Sequence, residues 1–266
     1  MTATIILTYR EGNTPERRAN LMATLQWLAA TPEFETIVVE QDTLPRLKGP
    51  LPHPRCKIVY AYNPGPFNKS WGLNLGARVA DSPVLVFGDA DLIVPGMLAK
   101  TVQHCLGGAT LVKPYRRLLD LSADESRVVR ERPLALPQHS DPAKATDRKT
   151  QGEHLVLCGG MFALRRDAFW FLGAWDERFV GWGGEDDAFT YKLQRARVPS
   201  FEFDEVPALH LWHPRAAPGM EGQHEHYANN CALVERYRRY TDAELLRLAE
   251  VQSQIVGYRE KYRPLP

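Results

Sequence analysis

The chain has 266 residues, 44% of them hydrophobic and 24% charged, and its 33 basic residues nearly balance 32 acidic ones, leaving a formal charge of +1. That length buries a large core as one big domain or two small ones, and the composition is that of a soluble globular protein. No overall basic field would draw in nucleic acid, and no stretch approaches the run of about 20 apolar residues that a membrane helix needs; a local basic groove and a peripheral membrane attachment stay open.

The opening Met-Thr-Ala-Thr-Ile-Ile-Leu-Thr is already a strand pattern with no basic leader before it, which points to a cytosolic protein. Strands are predicted at Thr4–Thr8, Thr36–Glu40, Lys57–Ala61, Val84–Phe87 and Ala109–Lys113. Helical patterns lie between several of them. In the first, Thr14 suits the cap, Pro15 suits the first helical position, Leu21, Leu25 and Leu28 share a face, and Thr31-Pro32 is the stop. A second helix is predicted from Phe67 to Ala80, and a third from Pro95 to Cys105. This alternation predicts an α/β fold whose mostly parallel central sheet is covered by helices on both faces. The wholly apolar Val84–Phe87 reads as a central strand running into Gly88-Asp89-Ala90-Asp91. In open α/β sheets, ligands collect at that carboxyl edge.

Residues 114–153 are basic, polar and proline-containing, with one short helix signalled by the Ser122-x-x-Glu125 capping box. A segment of that length inside a compact domain is usually functional, here a lid or acceptor-binding insertion. Leu155–Leu164 and Phe201–Trp212 return to strand character. The tail from Thr241 reads as a helix, with Thr241-x-x-Glu244 as capping box and Leu245, Leu248 and Val251 at helical spacing. The four cysteines, Cys56, Cys105, Cys158 and Cys231, are scattered without a C-x-x-C pair, so neither a zinc knuckle nor a disulfide framework is indicated and they read as reduced.

Chemistry concentrates in a few places. In Gly181-Trp182-Gly183-Gly184-Glu185-Asp186-Asp187, adjacent acids alone would suit a solvated helix start, but the indole and glycines ask for more. Glycines let a backbone approach a ligand, an exposed indole offers a flat face to a sugar ring, and a neighbouring carboxylate can take a hydroxyl proton. A helix starting near Glu185 would place Phe189, Leu193 and Ala196 on one face; its dipole would keep the acids ionised while their mutual repulsion pushes the other way. Asp89 and Asp91 offer hard oxygen ligands for Mn²⁺ or Mg²⁺ beside a diphosphate. His210 and His213 close the last strand-like run, and on a regular strand they would face opposite ways, so both reach one ion only if the strand bends before Pro214. His224 and His226 read as exposed loop. Gly159-Gly160 is a bulge, a turn, or a backbone left bare for a ligand. Neither G-x-G-x-x-G after the first strand nor G-x-x-x-x-G-K-[ST] is present, which disfavours dinucleotide and P-loop enzymes.

In order and spacing these motifs resemble the inverting glycosyltransferases of the β-1,4-galactosyltransferase type, which have the GT-A fold. The likeness rests on Ile5-Ile6-Leu7-Thr8-Tyr9-Arg10, the stretch Phe67 to Gly76, Phe87-Gly88-Asp89-Ala90-Asp91-Leu92-Ile93, Gly159-Gly160, and Trp182-Gly183-Gly184-Glu185-Asp186-Asp187. It implies a single GT-A domain over 1–266, with a nucleotide-sugar half at 1–113, the variable insertion at 114–153, an acceptor and catalytic half at 154–240 and a C-terminal helix at 241–266. It further implies Thr8, Tyr9, Arg10, Lys69, Asp89, Gly159 and Gly160 around a UDP-sugar donor, and Trp182, Gly183, Glu185 and Asp187 around a glycan acceptor. Asp186 would be the base. Asp91 and His213 would hold Mn²⁺ (or Mg²⁺), with Asp89 near the ribose or a metal-bound water. His210 stands where the animal enzymes have a methionine ligand, and a nitrogen donor suits Mn²⁺ at least as well. Retaining transferases of mucin-type linkages carry a similar Trp-Gly-Gly-Glu segment followed by Asn, so Asp186 points to inversion. Leu157 stands where galactose-transferring members have a tyrosine, which implies room for the acetamido group of UDP-GalNAc as well as for UDP-Gal. The alternatives are a family-2-like transferase using another nucleotide-sugar such as GDP-mannose, a glycan-binding GT-A protein without turnover, and a sugar transferase acting on modified DNA.

Overall fold

The computed structural model describes residues 1–12, 14–133, 144–147, 157, 159–214 and 225–263. Cys158, His224, Leu155 and most of the segment 134–153 lie outside these described residues. The first half runs β1 (Ala3–Tyr9), α1 (Pro15–Leu28), β2 (Glu35–Asp42), β3 (Cys56–Tyr62), α2 (Lys69–Val79), β4 (Val84–Gly88), β5 (Leu92–Ile93), α3 (Leu98–Leu106) and β6 (Leu111–Lys113). The second runs β7 (Arg117–Asp120), α4 (Ala123–Glu131), β8 (Thr146–Asp147), β9 (Met161–Arg165), α5 (Arg166–Phe171), α6 (Glu185–Arg195), β10 (Ser200–Glu202), β11 (Ala208–His210), α7 (Tyr227–Arg239) and α8 (Asp242–Ile255). Among the described residues no helix is long and apolar enough to cross a membrane.

The main sheet has the order β10-β6-β9-β4-β1-β2-β3 and is parallel except for β9, which runs antiparallel to both neighbours. Alternate side chains of its buried strands feed two cores, as the period of two requires. Ile5, Leu7, Val84 and Val86 pack with Leu21 and Leu25 of α1 and Val102 of α3, while Ile6, Leu85 and Phe87 pack with Trp71 and Leu75 of α2 and Phe189 of α6. The expected coverage of both faces is therefore present. Two glycines let α2 lie close to the sheet: a Cβ on Gly72 would overlap the Thr8 hydroxyl and the Gln41 amide, and one on Gly76 would overlap Ile6. Asn68 caps that helix by accepting from the Trp71 N–H at 2.9 Å, which sets Lys69 at the carboxyl edge of the sheet.

Several elements differ from the sequence expectation for physical reasons. Phe201–Trp212 is not one strand: Asp204, Glu205 and Pro207 interrupt it, so β10 joins the main sheet and β11 a second sheet of order β5-β11-β7-β8. In the apolar block before Arg165, Gly159 and Gly160 have φ of 74° and 85°, so extended pairing begins only at Met161. Thr14 stands at the N-cap of α1 but its side chain makes no capping bond. Both capping boxes, Ser122 with Glu125 and Thr241 with Glu244, are formed. In α8 the buried face is Leu245, Ala249 and Gln252, and Val251 is exposed, because Ala249 lies directly against Gly173.

Candidate active site

The site is built at the carboxyl edge of β4. Asp89 follows Gly88 and is bonded reciprocally to the glycine doublet: its N–H donates to the Gly160 carbonyl at 3.0 Å, and its Oδ2 accepts from the Gly160 N–H at 2.6 Å. A Cβ on Gly160 would run into the Tyr115 hydroxyl. A Cβ on Gly159 would lie 3.1 Å from Asp89 Oδ2, 3.6 Å from Asp186 Oδ2 and 3.8 Å from Lys69 Nζ, so four residues from four separate stretches of sequence converge on one spot. Lys69 Nζ sits 3.0 Å from Asp89 Oδ1, 3.7 Å from Glu185 Oε1 and 3.9 Å from Asp186 Oδ2.

Glu185, Asp186 and Asp187 form the first turn of α6, entered through Gly184 at φ 92°. A Cβ on Gly184 would press on Phe179 and Val234. The balance left open by the sequence is decided by burial, which, reinforced by Glu185, Asp89 and Asp187 and opposed by Lys69, raises the Asp186 pKa to about 7. Burial also raises Asp187, against Arg238. For Lys69, burial favours the neutral amine, but Asp186, Asp89 and Glu185 together prevail and hold its pKa well above the usual lysine value. The site thus holds a firm cation beside a carboxylate poised near neutrality.

Asp91, His210 and His213 bring one ligand atom each to within 4.8 Å of one another. His213 Nε2 is 3.3 Å from Asp91 Oδ2 and His210 Nε2 is 3.7 Å from Asp91 Oδ1. Both histidines reach the same place because regular pairing stops short of His213: β11 ends at His210, the Leu211 N–H still donates to the Asp91 carbonyl at 2.8 Å in the β5 register, and the Trp212 N–H then leaves the ladder to donate to Ser126 Oγ at 2.7 Å. Burial pushes the Asp91 pKa up, but the hydrogen bond from His213 and the nearby His210, His213 and Arg17 outweigh it and keep the carboxyl below its ordinary value. One carboxylate oxygen and two imidazole nitrogens converging in this way fit a divalent transition-metal ion such as Mn²⁺. His226 stands at the N-cap of α7 and does not join this cluster.

The remaining predicted residues fall into two groups. Thr8 accepts from Gln41 Nε2 at 2.8 Å, and Tyr9 is buried with its hydroxyl donating to Glu11 at 2.9 Å, so at the sheet edge these two present backbone rather than side chain. Arg10 braces the ends of β2 and β3, donating to the carbonyls of Gln41 and Gly65 at 2.7 Å and of Asn63 at 2.9 Å. Trp182 is 55% exposed and stacks on Tyr227, with ring centroids 6.0 Å apart and planes at 19°. Its loop is pinned by the Gly181 N–H donating to the Phe67 carbonyl at 2.8 Å and by buried Asn230, whose Nδ2 donates to the carbonyls of Val180 and Trp182 at 3.0 Å. Gly183 has φ 91° and open space where a Cβ would be. Leu157 is buried in the core with Phe189, its N–H donating to Thr190 Oγ1 at 3.0 Å. Sequence reasoning missed Asn230 and Tyr227 because their partners, the backbone at 180–182 and the Trp182 ring, lie more than 40 residues away in sequence, and missed Tyr115 because only its contact with Gly160 reveals it.

The sequence model of glycosyl transferase family 2 matches residues 4–173, and one described as the N-terminal domain of galactosyltransferase matches residues 143–211. The validoxylamine A glucosyltransferase of Streptomyces hygroscopicus subsp. jinggangensis (strain 5008) is 26% identical over 209 residues, covering 70% of this chain and 47% of that protein. N-acetylgalactosaminyltransferase 4 of Drosophila melanogaster is 36% identical over 52 residues, 20% of this chain and 8% of that protein. The chain spans less than half the length of the curated relatives it matches. Among solved structures, the catalytic domain of Drosophila beta1,4-galactosyltransferase 7 in complex with xylobiose superposes with a TM-score of 0.53 at 14% identity, covering 91% of this chain and 82% of that one. GalNAc-T7 with UDP, GalNAc and Mn²⁺ gives 0.58 at 16% identity, covering 94% and 55%. At these identities the structural likeness is one of fold.

Proposed function

The chain belongs to glycosyl transferase family 2 and has the GT-A fold, and from that premise we propose that it transfers galactose or N-acetylgalactosamine from a UDP-sugar to a hydroxyl of a glycan acceptor, with inversion at the anomeric carbon. The observation that carries the reading is the convergence of Asp186, Asp89 and Lys69 around Gly159. It brings the half at 1–113 against the half at 154–240, which we treat as one domain. A cytosolic setting is part of the proposal and rests on the scattered cysteines of the sequence.

In this reading the acceptor hydroxyl attacks the anomeric carbon from the side opposite the diphosphate. The new C–O bond forms as the bond to the phosphate oxygen breaks, the hydroxyl proton passes to Asp186, and UDP departs. A pKa of about 7 leaves Asp186 ionised enough to accept that proton and basic enough to hold it. Lys69 offers its ammonium to the diphosphate, Glu185 and Asp187 bond acceptor hydroxyls, and Trp182 faces the sugar ring. Asp91, His210 and His213 would hold Mn²⁺, which when bound supplies a Lewis acid for the leaving phosphate.

Two outcomes test this. Mn²⁺-dependent UDP release with simple β-linked acceptors is expected to be fastest with UDP-Gal or UDP-GalNAc, and NMR of the product is expected to show the inverted anomer. Retention of configuration would remove the base role from Asp186. A clear preference for UDP-glucose or GDP-mannose would replace the donor assignment, a reading to which the glucosyltransferase relative lends weight. Replacing the exposed indole, Trp182→Ala, is expected to raise the acceptor KM by roughly 3–10-fold, the scale of one aromatic contact, with kcat within about twofold of wild type. An unchanged acceptor KM would place the acceptor elsewhere.

A further inference from the structure

The second sheet carries the metal cluster on neighbouring strands. In its ladder His210 of β11 pairs with Leu92 of β5, the residue after Asp91, and on its other side with Asp120 of β7. Leu92, His210 and Asp120 therefore lie at one level across three adjacent strands, with Asp91 one residue before Leu92, and the Leu121 N–H donating to the His210 carbonyl at 3.0 Å fixes that level. The imidazole of His210 stands between two carboxylates: Nε2 is 3.7 Å from Asp91 Oδ1, and Nδ1 is 3.0 Å from Asp120 Oδ1.

A neutral imidazole carries one N–H, and only its other nitrogen has a lone pair for a cation. Asp120, an acceptor when ionised, takes the Nδ1–H and leaves the lone pair on Nε2, which faces Asp91. With an ion bound, His213 would be set the same way by a weaker partner: its Nδ1 lies 3.0 Å from the Pro214 carbonyl and its Nε2 faces Asp91. A carboxylate behind an imidazole fixes the tautomer and ring orientation and makes the far nitrogen more basic.

We propose that Asp120 is a positioning residue for the metal site, holding His210 as the Nδ1–H tautomer so that Nε2 completes the set with Asp91 and His213. This rests on the metal site of the proposed function and deepens it. The segment at 114–153, expected as a lid or acceptor insertion, thereby supplies the outer shell of the metal through its first strand.

Mn²⁺ binding to the full-length protein, followed by electron paramagnetic resonance of the free ion with no sugar present, reads the proposal directly. Asp120→Ala is expected to raise the Mn²⁺ Kd by about 10–100-fold. Asp120→Asn keeps an acceptor oxygen for the Nδ1–H and is expected to recover most of that loss. In chelator, Asp120→Ala should melt with the wild type, since the side chain is half exposed. A lowered melting temperature with an unchanged Kd would show an ion pair that serves stability alone, and would overturn the proposal. So would weakened binding in His210→Ala but not in Asp120→Ala, a result that leaves the metal site standing. Unchanged affinity in His210→Ala would overturn this proposal and the His210 part of the metal site together.

Discussion

Asp186→Asn is expected to lower kcat by about 10²–10⁴-fold while the protein stays folded, because the variant keeps the shape of the residue and removes the only property a proton acceptor needs. In the wild type the acid limb of the rate profile should have its midpoint at about 7, with activity rising as pH rises through that value and the carboxyl ionises. The variant should lack that limb. Stability should move in the opposite sense. The folded pKa stands at about 7 against an ordinary 3.8, so between those values the folded chain holds a proton that the unfolded chain has released. Raising pH through that window therefore removes stability. Asp186→Asn should escape this loss and melt above the wild type at pH 8. Turnover within tenfold of wild type would end the assignment of the base, and a lower melting point at pH 8 would contradict the unfavourable burial of the charge.

The second large effect concerns Asp91. Asp91→Ala deletes the sole carboxylate of the three-ligand cluster and leaves two imidazoles facing each other. Mn²⁺-dependent kcat/KM is expected to fall by roughly 10²–10³-fold, the equivalent of several kcal/mol of lost charge stabilisation on the departing phosphate. Chelation should silence the wild type to a similar degree, with activity restored by Mn²⁺. Because a ligand that binds only the folded state stabilises it, by about 2.7 kcal/mol at one hundred times its Kd, Mn²⁺ should raise the wild-type melting temperature and leave the variant where it was. A variant with wild-type turnover and the same Mn²⁺-induced rise would place the ion elsewhere.

The fold was legible where the pattern ran long enough to be read. Of the five strand candidates, β1, β2 and β3 run seven or eight residues and β4 five, the helices between them carry a cap or a stop, as in Pro15–Leu28, and their order gives the doubly covered sheet. The second sheet was not legible. Leu92–Ile93, Arg117–Asp120, Thr146–Asp147 and Ala208–His210 are two to four residues long, shorter than any period that distinguishes a strand from a loop. The same divide runs through the site. Asp89, Asp91 and the acids of α6 announce themselves at element ends, whereas the approach of His210 to His213 depends on a bend after β11, and Asp120 and Asn230 act only through partners about 90 and 50 residues away in sequence. The Leu157 side chain shows the converse: the resemblance placed it beside the donor sugar, and the structure buries it in the core with Phe189.

The paired bonds between Asp89 and Gly160 have a mechanical corollary. Strands β4 and β9 run antiparallel right up to that point, so the floor beneath the two reactants is stitched rather than hinged. A crevice joined along its base does not open like a jaw. In the proposed reaction, room for an acceptor would be made at the rim, where the backbone at 181–184 includes three glycines at positive φ and is anchored by the Asn230 amide and by the Gly181 N–H on the Phe67 carbonyl. In the proposed reaction, substrate exchange would thereby be separated from the alignment of the reacting groups.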